Sequence, residues 1–192
     1  MLDLLKRASN IKQAVINVLK KKSLLDLNRL ELQDFRAIPK RPIILFADQI
    51  RSGHNIGSLF RIADSFLLES IYLSEYCVKP PHPEIEKSAI GSTNSVAWEA
   101  VADSINCLKD LQTKGYQIIG IEQTDQSQSL EKFKVDLNAK YVLIFGNEVN
   151  GISQPILNTV DACIEIPQFG TKHSLNVSVA AGIVVWHFLG IQ

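Results

Sequence analysis

Three observations predict a parallel α/β fold. Short apolar runs that read as strands alternate with stretches of helical periodicity. Polar, glycine-bearing segments fall at the carboxyl ends of those runs, where open parallel sheets hold their ligands. One run, residues 141–145 (YVLIF), is apolar throughout, as a strand buried on both faces must be.

The amino-terminal 41 residues form a separate piece. Leu4, Ala8, Ile11, Val15 and Val18 recur at helical spacing, with Lys6, Lys12 and Lys20 off that face. A second helix is expected over residues 25–35, then a linker over 37–42, where Pro39 and Pro42 exclude helix. This helical extension, residues 1–41, is too short to bury a core of its own.

The body, residues 42–192, opens with a strand over 43–47 and a polar loop over 48–55 (DQIRSGHN). A helix over 56–68 carries Arg61, a strand spans 71–73, and Pro80, Pro81 and Pro83 stiffen the loop 74–83. One or two helical turns over 83–89 end before Gly91-Ser92, and a strand follows over 96–101. A helix over 104–114 is capped at Asp103 or Ser104 and closed by Gly115. Then come a strand over 116–121, a polar loop over 123–129, the strand 141–145 and the loop 146–151. A helix over 153–160 has Pro155 in its first turn. The last strand, 163–166, is stopped by Pro167. Gly170 allows a turn, and Ser174 stands where an N-cap belongs, ahead of the small-residue run 178–182.

Composition narrows the classes. Of 192 residues, 46% are hydrophobic, enough for a single core. No apolar run approaches the ~20 residues of a membrane span, and charges interrupt any signal core in MLDLLKRASN. Cys77, Cys107 and Cys163 are odd in number and scattered, which suits reduced thiols in the cytoplasm and offers no metal spacing. The net charge of zero conceals an asymmetry. Residues 1–41 hold ten Lys and Arg against four Asp and Glu; the remainder holds ten against sixteen. A basic arm suits a polyanionic partner, although a solvated basic helix has the same composition.

Several familiar chemistries are excluded. The loop GNEVNG (146–151) is followed by Ile-Ser, so it is no phosphate-binding P-loop. No Gly-x-Gly occurs, which removes a Rossmann dinucleotide site. His173 and Ser174 are adjacent and do not face each other as a catalytic pair.

Three segments together carry a resemblance: Asn55-Ile-Gly57-Ser-Leu-Phe-Arg61-Ile-Ala63; Leu143-Ile-Phe-Gly146-Asn-Glu148-Val-Asn-Gly151-Ile152; and Ile166-Pro167-Gln-Phe-Gly170 followed by Ser174-Leu175-Asn176-Val177-Ser178. In order and spacing they resemble the SPOUT RNA methyltransferases, SpoU/TrmH branch, over residues 43–186. Gln168 stands where that family usually has methionine, and Leu67 where glycine is common.

The resemblance implies a parallel sheet with a carboxyl-terminal deep trefoil knot, in a homodimer that needs no metal. It implies methyl transfer from S-adenosylmethionine to a ribose 2′-hydroxyl of tRNA or rRNA. Gly146, Ile166 and Leu175 would line the cofactor site, with residues 122–124 as a third wall. Arg61 would be the principal catalytic residue. A guanidinium of pKa above ~12 rarely yields its proton, so the expected role is to hold phosphate and stabilise the developing alkoxide. An ion pair with Asp64 on the same helix is the bland alternative. Asn55 would position its loop and orient Arg61 or substrate. Ser174 and Asn176 would hydrogen-bond substrate or the first segment, and Glu148 would fix the second segment or the partner subunit. A non-catalytic RNA-binding paralogue is the competing reading; an α/β enzyme acting on another nucleotide lacks the glycine signatures.

Overall fold

The computed structural model describes residues 19–190 except 24 and 28. The helix expected over residues 4–19 falls almost wholly outside them. The chain divides into two units, residues 1–31 and 32–192.

In the first unit, the described structure is a short 3-10 turn, Leu25–Leu27. A reciprocal cap starts it: Ser23 N–H donates to Asp26 Oδ2 (2.7 Å) and Asp26 N–H to Ser23 Oγ (3.2 Å). The continuous helix expected over 25–35 does not form. Its second half is α1, Leu32–Ala37, in the second unit, anchored by the buried Phe35. The Lys40 ammonium sits 4.0 Å from that ring's centre.

The second unit is a seven-stranded parallel sheet flanked by helices, as expected of an α/β chain. In chain order its elements are β1 (Arg41–Ala47), α2 (Gly53–Ser65), β2 (Leu68–Ser74), α3 (Pro83–Ala89) and β3 (Ala97–Val101). Then follow α4 (Ser104–Thr113), β4 (Tyr116–Ile121), β5 (Gln128–Ser129), β6 (Lys140–Phe145), α5 (Gln154–Leu157), β7 (Ala162–Glu165) and α6 (Val177–Phe188). The spatial order is β3-β2-β1-β6-β4-β7-β5. The chain therefore inserts β6 between β1 and β4, and later β7 between β4 and β5.

Strand alternation divides the core in two. Leu45, Leu143 and Phe145 face one layer with Ile56, Leu59 and Phe60 of α2 and Val184, Val185 and Phe188 of α6. Ile44, Phe46, Val142 and Ile144 face the other, with Leu108 and Leu111 of α4 and Ile156 of α5. Both faces of β1 and β6 are covered, which is why their sequences are apolar without a polar phase. Each such side chain contributes about 1.5–3 kcal/mol on burial.

Both ends of the motif-bearing helix α2 differ from expectation, and α5 ends at Leu157, short of the expected 160. The motif-bearing helix starts at Gly53, because Ser52 Oγ accepts the Asn55 N–H (3.3 Å) and serves as N-cap. Beyond its end Leu67 takes a left-handed conformation, φ +56°, which explains why glycine suits that position. Gly57 is required by packing: a Cβ there would lie 2.0 Å from Ser88 Oγ and 2.5 Å from Ile85 O of α3.

Candidate active site

The carboxyl ends of three neighbouring strands, β6, β4 and β7, open into a cavity of about 350 Å³. That lies within the ~300–1,000 Å³ of small-molecule sites. Its walls come from Ile121–Gln123 after β4, Phe145–Gly151 after β6 and Ile164–Val177 around β7. Gly146, Ile166 and Leu175 line it together, as do Glu148 and Ser174. Glu122 and Gln123 form the expected third wall; Thr124 does not line the cavity.

The loop after β6 is a self-closed turn. Asn147 and Gly151 exchange backbone hydrogen bonds of 3.2 and 3.0 Å. Asn147 Oδ1 also accepts the N–H groups of Val149 (2.9 Å) and Asn150 (2.8 Å). Gly146 is needed by this turn itself, since a Cβ would lie 2.0 Å from the Gly151 carbonyl carbon. Close approach of a ligand is therefore not required to explain the glycine. From the next wall, Glu122 Oε2 accepts the Ile152 N–H at 3.0 Å.

Behind the cavity, one buried side chain joins all three sequence segments. Asn55, 8% exposed, donates from Nδ2 to Glu148 Oε1, and its Oδ1 accepts Asn176 Nδ2 at 3.1 Å. Asn176 is also the N-cap of α6, its Oδ1 accepting Ser178 N–H (2.9 Å) and Oγ–H (2.6 Å). Ser174 is thus not the cap. The helix begins two residues later, where an amide can satisfy the helix end and still donate to Asn55. A second brace was not foreseen: Asp48, 2% exposed, accepts the Ser153 N–H at 2.7 Å and ties the end of β1 to the start of α5. An acidic residue directly after an apolar strand was its only sequence signal.

Arg61 lies on the exposed side of α2 and does not line the cavity in a single chain. Arg61 makes no side-chain hydrogen bond among the described residues, and Asp64 on the same helix accepts one from Ser95 Oγ. Ser174 and Asn176 are both exposed; Ser174 lines the cavity, and Asn176 does not. Among the described residues, no group of three or more His, Cys, Asp or Glu is placed to hold a metal ion.

The fold is shared with known proteins. The model of the SpoU rRNA methylase family matches residues 42–186, from the first strand to near the end of α6. The chain belongs to the SpoU rRNA methylase family. Among similar proteins, the tRNA (guanosine(18)-2′-O)-methyltransferase of Aquifex aeolicus is 31% identical, over 77% of this chain and 68% of that protein. The 23S rRNA (guanosine-2′-O-)-methyltransferase RlmB of Neisseria meningitidis is 29% identical, over 82% of this chain and 62% of that protein. The tRNA (guanosine(18)-2′-O)-methyltransferase of Saccharomyces cerevisiae is 28% identical over 85% of this chain, which spans only 11% of that protein. The crystal structure of the A. aeolicus TrmH/SpoU tRNA modifying enzyme superimposes with a TM-score of 0.73 at 28% identity, covering 83% of this chain and 81% of that one. The SpoU methyltransferase AviRb from Streptomyces viridochromogenes, solved with the cofactor AdoMet, shares the fold at a TM-score of 0.70 and 22% identity, over 82% and 60% of the two chains.

Proposed function

We propose that this chain transfers a methyl group from S-adenosylmethionine to a ribose 2′-hydroxyl in tRNA or rRNA. The observation that carries the reading is the Asn176–Asn55–Glu148 chain, which joins the three family segments directly behind the cavity. Relatives named as 2′-O-methyltransferases of both tRNA and rRNA support the reaction and leave both RNA classes as candidates.

The cavity suits the donor. Ile166 and Leu175 offer an apolar wall for the adenine, and the Gly146–Gly151 turn presents backbone groups beside it. When bound, the sulfonium would supply an activated methyl: transfer would break its carbon–sulfur bond and leave a neutral thioether, while the ribose hydroxyl loses its proton to solvent. The chain's own contribution is alignment and electrostatics. Holding reactants in line and away from water supplies about 7–11 kcal/mol of barrier reduction. Arg61, unpaired within the described residues, holds an RNA phosphate and stabilises charge developing on the oxygen. Glu148 stays fixed by Asn55, Asn176 braces Asn55 from α6, and Ser174 offers a polar contact on the cavity wall.

The active form is a homodimer. Val179, Ile183 and Trp186 are 50, 40 and 50% exposed and recur at helical spacing on α6, an apolar stripe suited to a second copy. A site completed across the dimer also accounts for Arg61 lying outside the single-chain cavity. The trefoil knot is supported by β7 lying between β4 and β5 and by contact of residue 123 with residue 173. Residues 1–41 act as an RNA-gripping arm on the methyltransferase domain 42–192; the arm's basic excess suits phosphate contacts. No helix among the described residues is long and apolar enough to cross a membrane, and three free cysteines suit the cytoplasm.

Mapping 2′-O-methyl sites in RNA from cells with and without the gene tests the reading. A site lost with the gene is expected; an unchanged map in both tRNA and rRNA would refute it.

A further inference from the structure

We propose that Gln123 is a positioning residue that tethers the bend after β7 across the cavity and thereby sets the affinity for the methyl donor, resting on the function proposed above. Gln123 Nε2 donates to the His173 carbonyl oxygen at 2.9 Å. Among the described residues, this is the one hydrogen bond that reaches any residue from 167 to 175. That bend forms one whole wall of the cavity through Gln168, His173, Ser174 and Leu175. It is otherwise exposed from 169 to 176, with Phe169 98% exposed and no apolar anchor of its own.

The tether works because its base is rigid. Glu122, the preceding residue, has its N–H bonded to Ile164 O (3.0 Å) and its carbonyl bonded by Cys163 Sγ (3.4 Å). Its carboxylate accepts the Ile152 N–H (3.0 Å) and the N–H of Gln123 itself (2.9 Å). Glu122 is therefore occupied in holding chain, and Gly151 packs so closely that a Cβ there would lie 2.0 Å from Glu122 Oε2. The result is a fixed wall after β6, a fixed base at 122, and one amide spanning to a wall that is otherwise held only at its ends, by β7 and by Asn176. Loss of that amide leaves the bend to be ordered by the donor itself, at the donor's expense in affinity.

The test compares the wild-type protein with Gln123→Met, which keeps length and shape, removes the donor and adds no charge. Binding of S-adenosylhomocysteine is measured by titration calorimetry, and amide exchange is followed in the ligand-free protein. A net hydrogen bond corresponds to about a 2- to 12-fold weaker Kd for the variant. Faster exchange confined to residues 167–176 and a raised KM for the donor, with kcat at saturation kept, are also expected. Unchanged affinity overturns the inference, whether or not exchange rises, because the tether would then shape the bend and not the site. Failure of the wild-type protein to bind S-adenosylhomocysteine removes the proposed donor site and this inference with it, an outcome distinct from equal binding by both proteins.

Discussion

Asn55 donates its side-chain amide to Glu148, 93 residues further along the chain. Its carbonyl oxygen is used as well, by Asn176. No other residue type the size of asparagine both donates and accepts in this way. Replacing Asn55 by Asp sets the buried side chain's new carboxylate against that of the exposed Glu148, with an expected loss of about 1 kcal/mol and of methyl transfer. The double variant Asn55→Asp/Glu148→Gln restores a donor opposite an acceptor and recovers part of both. Thermal unfolding and transfer assays on the four-member cycle check this; equal losses in single and double variants would show that the contact is incidental.

Arg61 is exposed and makes no side-chain hydrogen bond within the described residues, so Arg61→Ala leaves stability within about 0.5 kcal/mol. Donor binding is unchanged, while methyl transfer falls by about 100-fold or more. Arg61→Lys keeps the charge and loses the planar fork, and falls between the two. Normal turnover by Arg61→Ala removes the guanidinium from the mechanism.

Gly57 separates α2 from α3 by no more than a hydrogen's width. Gly57→Ala forces the helices apart and costs about 1–3 kcal/mol. Adding Ser88→Ala relieves the clash at 2.0 Å and leaves the one with Ile85 O at 2.5 Å, so chemical denaturation should show partial rescue.

Ile90, a β-branched residue, sits at φ +51° and is 71% exposed. Ile90→Asn relieves this conformation while giving up little packing, and stabilises the protein by about 1 kcal/mol. Leu67 shares the conformation, but its side chain is half-buried, so Leu67→Gly gains less. A lower melting temperature for Ile90→Asn would contradict this.

Burial pushes the Cys107 thiol up to about 11, with Glu99, Asp110 and Asp103 adding to the shift. Burial likewise raises the Cys77 and Cys163 thiols. At pH 8 all three stay protonated, so alkylation of the native protein is slow and accelerates on unfolding. Rapid native labelling at pH 8 would contradict these environments.

β1 and β6 could be read from sequence because burial on both faces leaves an unmistakable apolar run, and both fell where that run placed them. The members of the cavity wall were named by resemblance, since Ile166 and Leu175 read alone as plain core. What stayed hidden was contact between distant polar residues. Nothing local in Asn55, Gln123 or Asp48 says which carbonyl, carboxylate or amide each will meet. The cap at Asn176 was missed for the same reason: Ser174 is an equally good cap in isolation, and the bond to Asn55 decides between them. Arg61 was read correctly as a helix residue, but its place outside the cavity depends on how α2 packs.

The most direct test of the account is transfer from S-adenosyl[methyl-³H]methionine to tRNA or rRNA followed by alkaline hydrolysis. A methylated 2′-oxygen cannot assist cleavage of the adjoining phosphodiester, so label is expected in alkali-stable dinucleotides. Label recovered in mononucleotides, which would mean methylated bases, or no transfer to either RNA class, would contradict it.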